Sequence, residues 1–192
     1  MKLQHSEFQL NISQVDPELW KIVQNLDFQL GMKTLDVGGT DNELSSLLEQ
    51  HGCESWVIDL RPYQYPLRKF IQGNFHDVQV PENYFDLAFD ISAIHHFGVE
   101  HYTPKEQPDD DIKAYQKVHL SLKSGGVFYL CMDRFKREYA ETDFFHQYNL
   151  PTFKERVCKN FTVLDLQTLD VNLNPVTDEP SLEIVYAKLG KP

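Results

Sequence analysis

Short apolar runs alternate with helical patterns along most of this chain. Five runs of strand length predict β-strands at about residues 33–37, 55–59, 69–72, 85–91 and 127–132. Between most of them, apolar residues recur at helical spacing, which predicts helices after Pro17, at about 41–52 and 109–122, and after Pro151. Strands that alternate with helices are typical of an α/β fold with a parallel sheet.

The end of the chain follows a different pattern. Residues 161–166 and 181–189 each predict a strand, and turn signals lie between them at 174–175 and 178–180 in place of a helical pattern. Two strands joined without a helix pair antiparallel. We therefore expect an antiparallel hairpin to complete a single domain over residues 1–192, with residues 1–29 as an N-terminal extension and helix.

The clearest chemical signal lies where the first two strands end. Asp36-Val37-Gly38-Gly39 closes the first apolar run, and Asp59 closes the second. Glycines at such a bend let the backbone approach a ligand closely. A carboxylate at the tip of the next strand can accept hydrogen bonds from a ribose diol. The two features together indicate a nucleoside pocket in an open α/β sheet.

Four segments, in order, resemble motifs of the class I S-adenosylmethionine (SAM)-dependent methyltransferases: residues 35–39, 57–60, 85–97 and 122–127. The resemblance implies a Rossmann-like seven-stranded sheet, mostly parallel with an antiparallel last strand, and helices on both faces. It also implies SAM as cofactor and methyl transfer as activity. Residues 96–111 loosely resemble an uncharacterised subgroup that accompanies polysaccharide-synthesis enzymes. The glycine loop is one residue shorter than the family pattern, and Asn74 stands where the family often has an acid.

The residues that the resemblance assigns to the cofactor all lie at or just beyond strand ends. They are Asp36, Gly38, Gly39, Asp59, Leu60, Arg61, Asn74, Phe75, Asp90 and Ile91. Asp36 would orient the methionine amino group, Asp59 would bind the ribose hydroxyls, and Asn74 would face the adenine. Each assignment has a structural alternative: a capping residue for Asp36, a solvated loop acid for Asp59, core filling for Phe75 and a structural carboxylate for Asp90.

His95 and His96 follow the fourth strand, at the end of the sheet where acceptors bind in this family. Methyl transfer mainly requires alignment of the reacting atoms. A general base is needed only when the acceptor holds its proton tightly, as an alcohol does. Either histidine is therefore a candidate base, with packing as the alternative. Adjacent histidines without a spaced third ligand make a poor metal site, so we expect no metal.

Two further clusters follow the fifth strand. Arg134, Lys136 and Arg137 would suit an anionic group on a small-molecule or glycan acceptor, or they form a solvated helix face. Four aromatic residues come next, and they would either roof the acceptor cleft or belong to a helix packed on the sheet. They are Tyr139, Phe144, Phe145 and Tyr148.

Composition limits the partners and the compartment. Acidic residues outnumber basic ones by 29 to 18, and the net charge of −11 argues against a nucleic-acid partner. No apolar run is long enough to span a membrane. The polar N-terminus and three cysteines without a CxxC pair lead us to expect a cytoplasmic protein.

Two other functions stay open from the sequence. A nicotinamide-dependent oxidoreductase would share the sheet, but the Gly-x-Gly-x-x-Gly pattern is missing after the first strand. A catalytically silent methyltransferase fold that binds another protein would tolerate the shortened glycine loop.

Overall fold

The computed structural model describes residues 1–3, 16–99, 109–133, 140–142, 144–170, 172–176 and 184–192. The basic cluster Arg134, Lys136 and Arg137, together with Tyr139, lies outside these ranges. The anion site predicted from that cluster therefore stays a prediction.

Within the described ranges, seven strands form one sheet. They are β1 (Lys33–Val37), β2 (Glu54–Asp59), β3 (Lys69–Gln72), β4 (Phe85–Ile91), β5 (Leu122–Met132), β6 (Thr162–Leu169) and β7 (Ile184–Gly190). Their order across the sheet is β3-β2-β1-β4-β5-β7-β6. The strands β1 to β5 pair in parallel, and β7 runs antiparallel to both of its neighbours. This arrangement confirms the predicted fold class and the reversed last strand.

Four helices cover the two faces of the sheet in the described part of the chain. They are α1 (Pro17–Asn25), α2 (Leu44–Gln50), α3 (Asp110–Ser121) and α4 (Leu150–Arg156). Asp16 caps α1, because its side chain accepts hydrogen bonds from the backbone N–H groups of Glu18 and Leu19. Asn149 and Thr152 form a capping box at the start of α4.

The alternation of side chains along the strands builds a core on each face. Leu35 and Val37 of β1 pack with Ala88 of β4 in the core beneath α3 and α4. Leu87 and Phe89 of β4 point the other way, into the core beneath α1 and α2. Because side chains alternate with period two, Asp36 is turned toward α2 while its two neighbours face α3.

Several boundaries differ from the prediction, and β6, expected at 161–166, runs from Thr162 to Leu169. The helix expected from about residue 41 begins at Leu44, because Gly39–Asp41 first forms a 3₁₀ turn. The strand expected from residue 127 begins at Leu122, with a bulge opposite β4 that absorbs the glycine-rich turn. The Lys191 N–H donates to the Gly126 carbonyl and the Gly125 N–H donates to the Lys191 carbonyl, both at 2.9 Å, which holds that turn against the end of β7.

The sheet order reverses between β1 and β4. In open α/β sheets, ligands bind in the crevice beyond the carboxyl ends of the strands at this reversal point. The loops after β1, β2 and β4 therefore surround the expected site. The turn after β3 completes the same edge.

Candidate functional site

A cavity of about 350 Å³ lies beyond the carboxyl ends of β1 to β4. Its volume falls in the range of about 300–1,000 Å³ that small-molecule sites occupy. The predicted site residues that line it are Gly38, Asp59, Leu60, Arg61, Asn74, Phe75, Ile91 and His96. Four predicted residues support the walls from behind without lining the cavity: Asp36, Gly39, Asp90 and His95.

The two glycines after β1 are required by contacts within the protein. Gly38 has a φ of +73°, and a Cβ there would lie 2.3 Å from the Cβ of Ala93. A Cβ on Gly39 would lie 2.3 to 2.6 Å from the carboxylate atoms of Asp36. The pair therefore allows the β1 loop to pack against both the β4 loop and the Asp36 carboxylate.

Asp36 is fully buried behind this loop. Its Oδ2 accepts a hydrogen bond of 3.1 Å from the Ser45 hydroxyl on α2. Its Oδ1 has no hydrogen-bond partner among the described residues. Burial raises the pKa of the Asp36 carboxyl to about 7. A buried acceptor without a protein partner is where a water or a ligand donor is expected.

Asp59 connects two loops at the cavity wall. Its Oδ2 accepts from the Thr40 N–H at 3.1 Å, and its Oδ1 accepts from the Arg61 N–H at 2.8 Å. Arg61 also pairs with Asp41 at 2.8 Å, across the loops after β1 and β2. Asp59 is only 7% exposed, so it is no solvated loop acid. Each carboxylate oxygen carries two lone pairs, which leaves capacity for further donors.

The segment after β3 forms the opposite wall. The Asn74 Oδ1 accepts a hydrogen bond of 2.9 Å from the His76 N–H, which tightens the turn. Phe75 is 2% exposed, and it both packs in the α3-side core and lines the cavity. Its contact with an adenine stays a prediction.

Asp90 holds the loop after β4. Its Oδ1 accepts from the backbone N–H groups of Ala93 and Ile94, both at 3.0 Å, and Tyr115 donates to its Oδ2 at 3.4 Å. Burial raises the pKa of the Asp90 carboxyl to about 6. These bonds favour the structural alternative for Asp90, which shapes the 3₁₀ turn Ile94–His96.

The two adjacent histidines have different surroundings. His95 is 1% exposed, and its Nε2 lies 3.7 Å from an Asp133 carboxylate oxygen. His96 lines the cavity, and its Nδ1 lies 2.5 Å from the carbonyl oxygen of Phe144. A carbonyl only accepts, so Nδ1 of His96 carries the proton of that bond. In the neutral ring, Nε2 is then the basic nitrogen.

After β5, the described residues 140–142 and 144–148 do not form the helix considered from the sequence. Ala140–Glu141 and His146–Gln147 pair as a short antiparallel ladder. The ring of Phe145 lies 6.3 Å from the rings of both His95 and His96. Tyr148 is buried in the core, and its hydroxyl donates to Asp111 at 2.5 Å.

Sequence reasoning missed part of the lining. Asp16 and Leu19 at the start of α1, His76 after β3, and Ala93 and Phe97 after β4 also face the cavity. His76 and Ala93 lie within two residues of predicted positions. Extending each predicted loop by two residues would therefore have included them. No local sequence pattern indicated that the start of α1 would lie against the cavity.

The described residues contain neither a metal-binding cluster nor a membrane-spanning helix. No group of three His, Cys, Asp or Glu side chains among them is arranged to hold a metal ion. None of the helices in the described ranges has the length and apolar character needed to cross a membrane.

The strand order and the loops that surround the cavity define a methyltransferase-type Rossmann fold. Residues 35–130, half of the chain, match the family model described as a methyltransferase domain. The chain therefore belongs to the SAM-dependent methyltransferase family, as its motifs implied. The polysaccharide-associated subgroup is not confirmed.

Similar proteins agree with this family. Sterol methyltransferase-like 3 of Botryococcus braunii is 28% identical over 125 residues, which cover 58% of this chain and 29% of that protein. The chain thus spans under a third of this relative's length.

Two solved structures share the fold. A SAM-dependent methyltransferase of Mesorhizobium loti has a TM-score of 0.66 at 13% identity, covering 92% of this chain and 99% of its own. The 1,6-didemethyltoxoflavin-N1-methyltransferase of Burkholderia thailandensis has a TM-score of 0.63 at 17% identity, covering 84% of this chain and 72% of its own. The latter was crystallised with 1,6-didemethyltoxoflavin and S-adenosylhomocysteine.

Proposed function

We propose that this chain transfers a methyl group from SAM to a small-molecule or glycan acceptor. The observation that carries the proposal is the cavity at the reversal point of the sheet. It brings Gly38, Asp59 and Asn74 together, and these residues follow three different strands. The motif resemblance assigns them to the methionine, ribose and adenine parts of one nucleoside ligand.

The chemistry of the walls fits that ligand. Asp36 keeps a buried carboxylate oxygen without a protein partner, which suits an ammonium group or a water bound to it. Asp59 keeps lone pairs for ribose hydroxyls. Leu60 is 50% exposed beside the cavity, and a stacked base would cover this apolar side chain.

SAM supplies a methyl group on a good leaving group, so the protein has mainly to bind and align. His96 is the histidine that lines the cavity, and we assign it the role of base when the acceptor is a hydroxyl. Its Nδ1 proton is engaged by the Phe144 carbonyl, so Nε2 is the basic nitrogen of the neutral ring. His95, buried beside Asp133, supports the turn that presents its neighbour.

The charge and the apolar surface of the cavity wall bear on the acceptor class. The chain is acidic overall, and the cavity wall carries Asp16 and Asp41 as well as Asp59. Leu19, Ile91 and Phe97 add apolar surface to the cavity wall. The similarity to a sterol methyltransferase-like protein adds sterol-like lipids to the sugars and small alcohols that a screen should include.

Calorimetry and thermal unfolding with S-adenosylhomocysteine test the proposal. Ligand at about 100 times its Kd should add about 2.7 kcal/mol to the free energy of unfolding. NADH in the same assay should give no shift. Absence of both heat and stabilisation at millimolar S-adenosylhomocysteine would refute methyl transfer.

Two alanine variants, one at the cavity and one far from it, test whether Asp59 binds the cofactor. Asp59→Ala should weaken S-adenosylhomocysteine binding about tenfold or more, since a hydrogen bond to a charged group contributes about 1.5–3 kcal/mol. Glu82→Ala, which changes an exposed acid far from the cavity, should bind normally. An unchanged Kd in folded Asp59→Ala would remove Asp59 from the site.

A second candidate is a non-catalytic interaction protein, which the shortened glycine loop favours. Its signature would be failure to bind S-adenosylhomocysteine together with a stable complex with another protein. A homocysteine-release assay with the acceptor panel separates a binding-only fold from an enzyme.

A further inference from the structure

Residues 73–76, here called the base segment, supply four consecutive residues of the cavity wall: Gly73, Asn74, Phe75 and His76. They follow β3, which is the edge strand of the sheet and has no buried residue. Between β3 and β4, residues 73–84 contain neither helix nor strand. The sheet therefore holds one end of the base segment, through the bond from the Gly73 N–H to the Asp59 carbonyl at 2.8 Å.

The bonds inside the base segment fix its shape. The Asn74 carbonyl accepts from the N–H groups of Asp77 at 3.0 Å and Val78 at 3.1 Å, and its side chain accepts from His76. These bonds close a turn. They do not determine where the turn stands relative to the rest of the cavity.

Two contacts make that connection: the Phe75 ring, which is buried in the core beside α3, and Lys117. Lys117 lies on α3, whose residues Ala114, Tyr115 and Val118 are buried in the core. Its Nζ donates to the carbonyl oxygens of Phe75 at 2.5 Å, Val78 at 2.6 Å and His76 at 3.1 Å. An ammonium group has three donors, and three carbonyls accept them here.

The surroundings of this ammonium are consistent with a specific site. Burial lowers the pKa of Lys117, and the carbonyl oxygens oppose that cost by solvating the charge. The same Nζ lies 4.8 Å from the centre of the Phe75 ring, within cation–π range. Without a cation, the three carbonyl dipoles would face one another across a half-buried space.

We propose that Lys117 is a positioning residue that sets the base segment at the distance required to recognise the adenine of the cofactor. This inference rests on the proposed function, since it concerns the same cavity. Lys117 is not one of the residues that line the cavity, but it contacts two that do. Its effect passes through the backbone of Phe75 and His76.

The test compares Lys117→Met with Lys191→Met. Lys191 offers a matched control because its Nζ bonds to the carbonyl of Leu122 at 2.7 Å, that of Leu120 at 3.4 Å and the side chain of Asn83 at 2.9 Å. That cluster lies at the amino ends of β4 and β5, the opposite edge of the sheet from the cavity. Both variants lose one lysine with the same kind of partners.

Binding is measured by calorimetry with S-adenosylhomocysteine and with S-inosylhomocysteine, which carries an oxo group in place of the adenine amino group. Lys117→Met should raise the Kd for S-adenosylhomocysteine about tenfold or more, a change of about 1.4 kcal/mol. It should also reduce the preference for adenine over hypoxanthine. Lys191→Met should keep both values, whatever it does to the melting temperature.

The preference for adenine over hypoxanthine separates positioning from a general loss of stability. If Lys117 only stabilised the fold, the folded fraction of the variant would keep the wild-type preference. An unchanged Kd and preference in Lys117→Met, with wild-type binding intact, would overturn this inference alone. Failure of the wild-type chain to bind would overturn the proposed function and the inference with it.

Lys117→Gln, which keeps an amide donor, is measured by the same criteria if Lys117→Met does not fold. An intermediate loss of preference supports positioning. Loss of folding in both variants would show that Lys117 acts on the whole fold and would also overturn the proposal.

Discussion

At the scale of single residues, packing inside the protein also requires the glycine pair after β1. Gly38 and Gly39 were expected to admit a ligand. In the structure their missing Cβ atoms also leave room for Ala93 and for the Asp36 carboxylate. Gly38 lines the cavity as well, so one residue serves both packing and access.

Gly38→Ala should be much more destabilising than Gly125→Ala. Both glycines have positive φ, +73° and +75°, so both alanines carry a backbone strain of about 1–2 kcal/mol. Nothing lies within 4 Å of a Cβ at Gly125, whereas one at Gly38 meets Ala93. Overpacking adds about 1–3 kcal/mol. Urea denaturation of the two variants measures the difference, and equal losses would contradict this account.

His96→Gln should reduce kcat on a hydroxyl acceptor and leave the Kd for S-adenosylhomocysteine nearly unchanged. General-base catalysis contributes about 10²–10⁴-fold in rate. His119→Gln is the control, because His119 lies in the last turn of α3 against Phe161 and does not line the cavity. Near-normal kcat in His96→Gln would assign catalysis to alignment alone.

At the scale of elements, a buried ion pair joins α3 to α4. Arg156 donates to Asp111 through Nε at 2.9 Å and through Nη2 at 2.6 Å, and Tyr148 donates to the same carboxylate. The Asp111 side chain is 0% exposed. Since Tyr148 follows the short ladder beside the histidines, this pair also anchors the segment that faces them.

Arg156→Met should lower the free energy of unfolding by about 3–5 kcal/mol, because it leaves a buried carboxylate without its cation. Lys113→Met removes a comparable pair with Asp110, but the Lys113 side chain is 53% exposed. Such a surface pair contributes about 0–1 kcal/mol. The double variant Asp111→Asn with Arg156→Met should recover part of the loss. Similar losses for the two single variants, in chemical denaturation, would contradict the argument.

At the scale of the whole molecule, several carboxyl groups are buried without a cation. Burial raises the pKa of Asp36 to about 7 and that of Asp90 to about 6. Burial and the neighbouring Asp16 raise that of Glu18 to about 8. In the folded protein, the pKa of each of these three carboxyl groups lies above its ordinary value. Their protonated forms therefore favour the fold below about pH 4, and that contribution is lost as pH rises through 6 to 8.

Asp36→Asn should remove one of these titrations. The stability of the wild-type chain relative to this variant should fall between about pH 4 and pH 7, by at most about 1.4 kcal/mol for each pH unit. Urea denaturation at pH 5 and pH 8 measures the change. Glu82→Gln, at an exposed position, should show no such trend. A pH-independent difference for Asp36→Asn would show that its carboxyl is not held protonated by burial.

Local patterns in the sequence determined the elements. The bounds of β1, β3 and β4 were predicted to the residue, because apolar runs and their flanking turn residues are near in sequence. The same reasoning placed Asp59 and Asn74 at strand ends. It could not assign the start of β5, because the glycine-rich turn there is held within the strand by a bulge and by bonds to Lys191. Lys191 is far from this turn in the sequence.

The sequence by itself determined the family, the order of the sheet strands and helices along the chain, and the residues that end β1 to β5. Only the tertiary structure decided which of them face the cavity. His95 and His96 are neighbours in sequence, yet the 3₁₀ turn capped by Asp90 buries one and presents the other. Lys117 meets Phe75 across 42 positions. Periodicity records which face of an element is apolar, whereas such contacts depend on how the elements are ordered in space.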